Sequence, residues 1–247
     1  KIGWVDEFNS SLRHSFSAEL RLEWDRIRRE EQAKQARELL SRRKAFAKSK
    51  IWETYHSKLN QQHRQVLRQW GIDDSWQDYL QIGFVARKYY WNESMKVSPA
   101  ISFPYFGMNR EPITMQYRLM AEGIEDRYRF EKGLGTSFYN PTPDEPIGED
   151  VLIVEGVKKS IAVKILGRLN LTVLAVPSRS DFGGIEKAIV HCVRKWVLLD
   201  PDAITQCNKL ASRIDGKGIA HLFNRKVDDM LLEAPCVAWQ ALREAVS

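Results

Sequence analysis

The sequence predicts an α/β protein in which a parallel sheet flanked by helices follows a helical and then mixed α+β amino-terminal part. Beyond about residue 150, short apolar segments alternate with helix-forming segments of about ten residues, a pattern typical of βα units. Before about residue 100, long segments carry apolar residues at helical spacing. The 247 residues, of which 43% are apolar and 28% charged, are enough to bury a sizeable core.

Residues 1–50 are predicted to form a helical extension. Residues 28–50 contain no Gly or Pro and alternate in charge, which indicates a solvent-exposed helix. A surface for nucleic acid or for a partner helix is the alternative for this segment. An apolar stripe at helical spacing precedes it and comprises Leu12, Phe16, Leu20, Trp24 and Ile27.

Residues 51–145 are predicted to form a subdomain of helices followed by short strands. One helix is expected over Ile51–Trp70, ended by Gly71, and a short one over Ser75–Leu80. Residues 101–120 predict two strands joined by a turn at Met108–Glu111. The segment "DRYRFEKG" adds a further strand, and the Pro-rich "YNPTPDEPIGED" is the expected boundary to the next subdomain.

Residues 146–235 are predicted to form the parallel sheet and its helices, and residues 236–247 to begin a carboxy-terminal helix. The expected strands are "VLIV", "LTVLAV", "WVLL" and "GIAHLF", and the expected helices "KKSIAVKILGRL", "GGIEKAIVHCV" and "AITQCNKLASRI". The carboxyl ends of parallel strands lie at one edge of a sheet, where ligands of such folds bind. Functional residues are therefore expected at this edge.

Acidic residues follow the strands at this edge. "VLIVEG" ends in Glu155, "WVLLDPDA" contains Asp200 and Asp202, and "KVDDMLLE" supplies Asp228 and Asp229 further on. If the first two strands are neighbours, Glu155, Asp200 and Asp202 form an oxygen-rich site. Such a site suits Mg²⁺ or Mn²⁺, which bind through carboxylates, water and phosphate.

The same acids have a purely structural alternative. Asp202 could cap the helix that is predicted to begin at Ala203, and Asp229 could cap the turn at Met230. A single Asp-x-Asp pair is common, and only the combination with Glu155 at a second strand end favours a metal site.

Composition narrows the class of protein. The net charge of +6 favours a polyanionic partner. The three cysteines, Cys192, Cys207 and Cys236, form no Cys-x-x-Cys pair, which argues against a zinc site and is typical of the reducing cytosol. No apolar run has the length of a membrane span, so no membrane partner is expected. The chain begins at Lys1 rather than Met and is expected to be part of a longer protein.

These motifs resemble a TOPRIM domain, the catalytic fold shared by bacterial-type primases, topoisomerases and some nucleases. The resemblance rests on "VLIVEG", "VLLDPDA" and "VDDMLL" in this order. Upstream, "HRQVLRQWGIDDSWQDYLQIGFVA" and "ISFPYF…EPITMQYRLM…RYRFEKG" resemble the segments that precede it in DnaG-type primases. Over residues 50–235 the chain is thus similar to their RNA polymerase domain, and "EGVKKS" and "KVDDMLL" look closest to primases of phages and mobile elements.

The resemblance implies a role for several residues. It assigns Glu155, Asp200 and Asp202 to catalysis and metal binding, and makes Asp228, with Asp229 beside it, an auxiliary acid. The side chains that it implies for template or nucleotide binding are Arg118, Arg129, Lys158 and Lys159. One departure is that Lys159 occupies the place of an aspartate of the family.

The function that the resemblance implies is primer synthesis on single-stranded DNA from nucleoside triphosphates, with Mg²⁺ or Mn²⁺, in the cytoplasm of a bacterium or a phage-infected host. A replicative helicase is an optional further partner. Alternatives are phosphodiester cleavage by a TOPRIM nuclease or topoisomerase and a non-catalytic module that binds single-stranded DNA. A topoisomerase needs a nucleophilic tyrosine, and Tyr89, Tyr90, Tyr105 and Tyr139 have no recognisable context for this role.

Overall fold

The computed structural model describes residues 18–91, 94–124 and 127–246. The chain divides into two units, Lys1–Arg42 and Arg43–Ser247. Helix α1, Ala18–Ser49, provides all of the described part of the first unit and continues into the second. Residues 28–49 are helical and mostly exposed, so the solvent-exposed helix predicted over residues 28–50 is confirmed. Trp24, in the apolar stripe before this segment, is 61% exposed. Leu12 and Phe16 of the predicted stripe lie outside the described residues, and so does the side chain of Leu20.

Three short helices open the second unit after α1: α2 Ile51–His56, α3 Gln61–Gln69 and α4 Asp74–Tyr79. The prediction of one helix over Ile51–Trp70 was therefore wrong. Asn60 interrupts it, because its side-chain oxygen accepts a hydrogen bond from the backbone N–H of His63 at 3.0 Å. The ring of His63 accepts one from the backbone N–H of Asn60 at 3.3 Å. This capping box starts a new helix where the apolar spacing alone continues the old one.

The first sheet is antiparallel, with the order β1-β2-β3-β4. Its strands are β1 Gly83–Trp91, β2 Ser94–Phe106, β3 Pro112–Leu119 and β4 Tyr128–Phe130. The predicted strand pair and its turn are confirmed, since a 3₁₀ turn at Met108–Arg110 joins β2 to β3. Strand β1 was not predicted, because Arg87 and Lys88 interrupt the apolar pattern in its middle.

The second sheet is parallel, with the order β6-β5-β7-β8, and confirms the predicted α/β class. Its strands are β5 Asp150–Glu155, β6 Thr172–Val176, β7 Arg194–Leu198 and β8 Lys217–Gly218. The helices that accompany it are α5 Val157–Leu166, α6 Ile185–Ala188, α7 Ile204–Arg213, α8 Val227–Glu233 and α9 Pro235–Ala245. The four apolar residues Val151–Val154 of β5 are fully buried, as expected for a central parallel strand.

Two predicted elements are shorter than expected. The helix over "GGIEKAIVHCV" is limited to α6, and the apolar residues Val190 and Val193 beyond it are exposed. The strand over "GIAHLF" is limited to Gly218 at its start, because Ala220–Leu222 form a 3₁₀ turn. Periodicity cannot distinguish a short apolar strand from a helical turn, which explains the second error.

A bilayer-spanning helix would need a long apolar stretch. No helix within residues 18–91, 94–124 and 127–246 has such a stretch.

Candidate active site

Strand order brings the predicted acids to one edge of the parallel sheet. Strand β5 lies between β6 and β7. The strands that lead to Glu155 and to Asp200 are therefore neighbours, as the predicted shared site requires. Glu155 is the last residue of β5, and Asp200 lies two residues beyond Leu198, the end of β7. Gly156 then turns the chain into α5 with a φ of 82°, a conformation that favours glycine.

An open cleft of about 730 Å³ lies between this edge and the face of the antiparallel sheet. It brings together most of the residues predicted for the site. Those residues are Arg118, Glu155, Lys158, Lys159, Asp200, Asp202, Asp228 and Asp229. Acidic and basic side chains therefore meet in one cavity to which both sheets contribute.

Arg129 does not line the cleft. In the register of β3 and β4, Arg118 is opposite Tyr128, whereas Arg129 is opposite Tyr117. Because successive side chains of a strand point to opposite faces, Tyr128 shares the cleft face with Arg118, and Arg129 points away from it. The Arg129 guanidinium donates a hydrogen bond to the carbonyl oxygen of Tyr128 at 2.9 Å.

Other cleft residues were not singled out from the sequence: Gln116, Arg127, Tyr128, Pro177, Arg179 and Lys226. Arg179 could have been predicted from the sequence, because it lies in the loop after β6 and the carboxyl end of β6 lies at the same edge of the parallel sheet as Glu155. Lys226 lies two residues before Asp228 and could have been found in the same way. The position of Arg127 depends on how the two sheets pack, for which the sequence holds no signal.

Helix capping does not explain these acids. Pro201–Ala203 form a 3₁₀ turn and α7 follows, and neither Asp200 nor Asp202 accepts a capping hydrogen bond through its side chain. The cap position of α8 is Lys226, and no side-chain cap forms there either, so Asp229 has no capping role. The capping alternative set out for Asp202 and Asp229 is therefore wrong.

Asp200 is held by two ammonium groups. Lys159 Nζ contacts one carboxylate oxygen, and Lys226 Nζ lies 3.2 Å from the other. The side chains of Lys159 and Asp200 are only 8% and 15% exposed, whereas that of Lys226 is 57% exposed. Burial alone would raise the pKa of Asp200, but the charges and hydrogen bonds of Lys159 and Lys226 outweigh it and lower the pKa. Asp200 is thus ionised and fully paired.

The remaining acids of the cleft differ in their pairing. Lys158 Nζ lies 3.1 Å from Asp228 Oδ2, while Asp228 Oδ1 is buried without a hydrogen-bond partner. Arg179 contacts Asp202 at 3.3 Å, but both side chains are more than half exposed, so this pair is weak.

Glu155 differs from Asp200 in its electrostatics. Its pKa is raised, first because the side chain is largely buried and also because the Asp200 carboxylate lies nearby, although Lys159 opposes the shift. Two neighbouring carboxylates therefore have pKa values moved in opposite directions, an arrangement that is common where acid–base chemistry occurs.

The donor atoms of the cleft fit a hard divalent cation, since Glu155, Asp200, Asp202 and Asp228 supply only carboxylate oxygens. The buried, unpartnered Oδ1 of Asp228 is an acceptor that such a cation would satisfy. In the ion-paired arrangement, however, no three His, Cys, Asp or Glu side chains in the described part of the chain are grouped closely enough to hold a metal ion.

Trp70 supports the basic side of the cleft. The guanidinium carbon of Arg118 lies 4.2 Å from the centre of the indole, and Lys158 Nζ lies 5.9 Å from it. Both distances are within the range of cation–π attraction. The ring thereby holds two predicted ligand-binding side chains in place.

Comparison with solved structures identifies the fold of this chain, although two other comparisons find no match. No protein-family model matches the chain, and no curated protein matches it. Among solved structures, the Aquifex aeolicus primase, with its zinc-binding and RNA polymerase domains, has a TM-score of 0.62 at 11% identity. That match covers 81% of this chain but only 59% of the Aquifex chain, so this chain spans less than two thirds of its length.

Two further structures match at similar levels. The RNA polymerase domain of Mycobacterium tuberculosis DnaG in complex with double-stranded DNA has a TM-score of 0.59 at 15% identity, covering 83% of this chain and 80% of that one. A DnaG primase catalytic domain bound to single-stranded DNA has a TM-score of 0.56 at 15% identity, covering 86% and 82%. The predicted resemblance is thus confirmed at the level of the fold: this chain has the TOPRIM-containing fold of DnaG primase catalytic cores.

Proposed function

We propose that this chain is a primase catalytic core that synthesises short oligonucleotide primers on single-stranded DNA. The observation that carries the proposal is the cleft, in which carboxylates at the ends of β5 and β7 face basic side chains of β3 and α5. Each step of the reaction joins a hydroxyl to a phosphate, so the site must handle a proton and several phosphate charges at once.

In the proposed reaction, the 3′-hydroxyl of the primer attacks the α-phosphate of a nucleoside triphosphate and expels pyrophosphate. Glu155, Asp200, Asp202 and Asp228 would hold Mg²⁺ or Mn²⁺. When bound, the cations would polarise the hydroxyl and neutralise charge on the leaving group. Burial raises the pKa of Glu155, which makes its carboxylate a stronger proton acceptor than an ordinary glutamate.

The basic residues of the cleft supply the positive charge that phosphate groups of the nucleotide and the template require. Arg118 is fixed over Trp70 and Lys158 lies at the start of α5, where both can meet phosphate oxygens. Lys159 lies deeper and contacts Asp200. Arg129 would act on the template from the opposite face of its strand, because it does not line the cleft.

Single-stranded DNA is the proposed template, which agrees with the solved DnaG catalytic domain that is bound to single-stranded DNA. A replicative helicase is a proposed additional partner. This function implies a place in the cytoplasm of a bacterium or a phage-infected host.

The competing catalytic function is phosphodiester cleavage by the same acids. For a topoisomerase, Tyr105 and Tyr139 are unsuitable nucleophiles, because both are 1% exposed and burial raises the pKa of each hydroxyl. A nuclease needs no tyrosine and stays a competitor. The acids at the strand ends speak against a non-catalytic module, but such a module is compatible with the stabilising ion pair between Lys159 and Asp200 and also stays a competitor.

One assay separates the three functions. The protein is incubated with single-stranded DNA, labelled nucleoside triphosphates and Mg²⁺ or Mn²⁺. Short labelled products support a primase, cleaved template supports a nuclease, and binding without either product supports a module.

Substitutions test the assignment of the acids. We expect Asp200→Ala and Asp202→Ala to abolish primer synthesis while both variants still fold. Asp144→Ala is the matched control, because Asp144 also pairs with an arginine, at 2.8 Å, but lies outside the cleft. Normal synthesis by either cleft variant would refute the role of that carboxylate.

A further inference from the structure

The pairing of Asp200 presents a conflict within the proposed site. Both of its carboxylate oxygens contact ammonium groups, those of Lys159 and Lys226. An oxygen engaged in this way is a poor ligand for a divalent cation, since the positively charged ammonium groups in contact with the carboxylate repel the metal. For Asp200 to bind a cation, at least one lysine must find another partner.

The position of the lysines shows what kind of partner suits them. Lys158 and Lys159 lie in the first turn of α5, which carries no acidic residue. Cations at this end oppose the helix dipole, so helix stability does not explain their presence. The first turn of a helix instead favours an anion, and two lysines add to that preference. A phosphate group is therefore the natural competitor of Asp200.

We propose that Lys159 and Lys226 exchange Asp200 for the phosphate oxygens of an incoming nucleoside triphosphate, so that triphosphate binding releases Asp200 to ligate a divalent cation. This inference rests on the proposed function and adds a regulatory feature to the same site. Without a triphosphate the lysines neutralise Asp200 and keep the acid cluster closed to metal. With a triphosphate bound, the lysines follow the phosphates and the carboxylate becomes available.

The exchange is measurable with each ligand alone, because both binding events must break the same ion pairs. A metal on Asp200 displaces the lysines, and a triphosphate on the lysines displaces Asp200. Removing a lysine should therefore favour the metal, and removing the Asp200 charge should favour the triphosphate. Coupling between sites is commonly about 5- to 150-fold, so we expect changes of at least about fivefold.

The first measurement is Mn²⁺ binding without nucleotide, followed by the electron paramagnetic resonance of free Mn²⁺. We expect Lys159→Met to bind Mn²⁺ at least about fivefold more tightly than the unmodified chain. Lys226→Met, at a site that is 57% exposed and so tolerates substitution, should change the affinity in the same direction. Lys164→Met is the control on the same helix, because Lys164 pairs with Glu145 outside the cleft. It should leave Mn²⁺ binding unchanged.

The second measurement is the binding of inorganic triphosphate in the presence of a chelator, by calorimetry. We expect Asp200→Asn to bind it at least about fivefold more tightly than the unmodified chain. Asp229→Asn removes the same charge from the same cleft and should have a smaller effect. In the Lys159→Met background the gain from Asp200→Asn should shrink, because the released lysine is missing.

The exchange is refuted if Lys159→Met and Lys226→Met bind Mn²⁺ no more tightly than the unmodified chain. It is also refuted if Asp200→Asn and Asp229→Asn raise triphosphate affinity equally, which would indicate a general charge effect, or if no variant binds triphosphate. Primer synthesis is not a readout in these experiments. Failure of the proposed function is therefore seen in the template assay, and failure of the exchange in the binding assays.

Discussion

Replacing Asp200 by alanine is expected to destabilise the protein far more than the same change at Asp202, although both carboxylates line one cleft. In Asp200→Ala, the Lys159 ammonium, only 8% exposed, loses the carboxylate that it contacts. In Asp202→Ala, a side chain that is 73% exposed loses a pair with Arg179, which water can readily replace.

The magnitude follows from these environments. Removing one partner of a buried ion pair costs about 3–5 kcal/mol, because the other charge is left without a partner. Here Glu155 remains near Lys159, and the exposed Lys226 is readily hydrated, so we expect a loss of about 2–3 kcal/mol for Asp200→Ala. For a unit of this size that corresponds to a decrease in Tm of about 5–10 °C. Asp202→Ala should lower the unfolding free energy by no more than about 0.5 kcal/mol.

Thermal and urea unfolding, followed by circular dichroism, measure both variants. Because the folded-state pKa of Asp200 is lowered, its contribution to stability is present above the ordinary aspartate pKa. It is lost as the pH falls through the lower value of the folded protein. The difference between Asp200→Ala and the unmodified chain should therefore shrink in acid. Equal Tm changes for the two variants at neutral pH would refute the reasoning.

Three further outcomes are expected. Because the pKa of Glu155 is raised, its ionisation opposes folding, so Glu155→Gln should raise Tm at pH 7. The gain in Tm should disappear as the pH falls and Glu155 of the unmodified chain becomes protonated. A Tm below that of the unmodified chain at pH 7 contradicts this prediction. Trp70→Ala removes the ring beneath Arg118 and should weaken inorganic triphosphate binding about 3- to 10-fold in calorimetry, whereas Trp70→Phe should retain most of it. Gly156→Ala should lower the free energy of unfolding in urea by about 1–3 kcal/mol, because alanine is strained at a φ of 82°. No atom lies within 4 Å of the added methyl, so the backbone strain is the whole effect. An unchanged urea midpoint contradicts this prediction.

The sequence was sufficient where the signal is local. The βα alternation after residue 150 predicted a parallel sheet, because burial on both faces requires continuous apolar strands such as Val151–Val154. It also placed Glu155 and Asp200 at strand ends. Local signals failed where a single polar contact overrides periodicity, as when the capping interaction of Asn60 divides the helix predicted over Ile51–Trp70.

The site itself required the tertiary structure. Which acids and bases share a cleft depends on β5 lying beside β7 and on the face of β3 that meets this edge. That register turns Arg118 toward the cleft and Arg129 away from it.

By itself, then, the sequence determined the parallel sheet and the acids that follow its strands, because apolar periodicity and turn residues act over a few neighbouring positions. Only the tertiary structure decided how those acids are paired. Lys159 and Lys226 lie 41 and 26 residues from Asp200 along the chain, yet contact it from two different elements. Such contacts follow from packing between distant segments, and they determine the charge state in which the cleft meets its ligands.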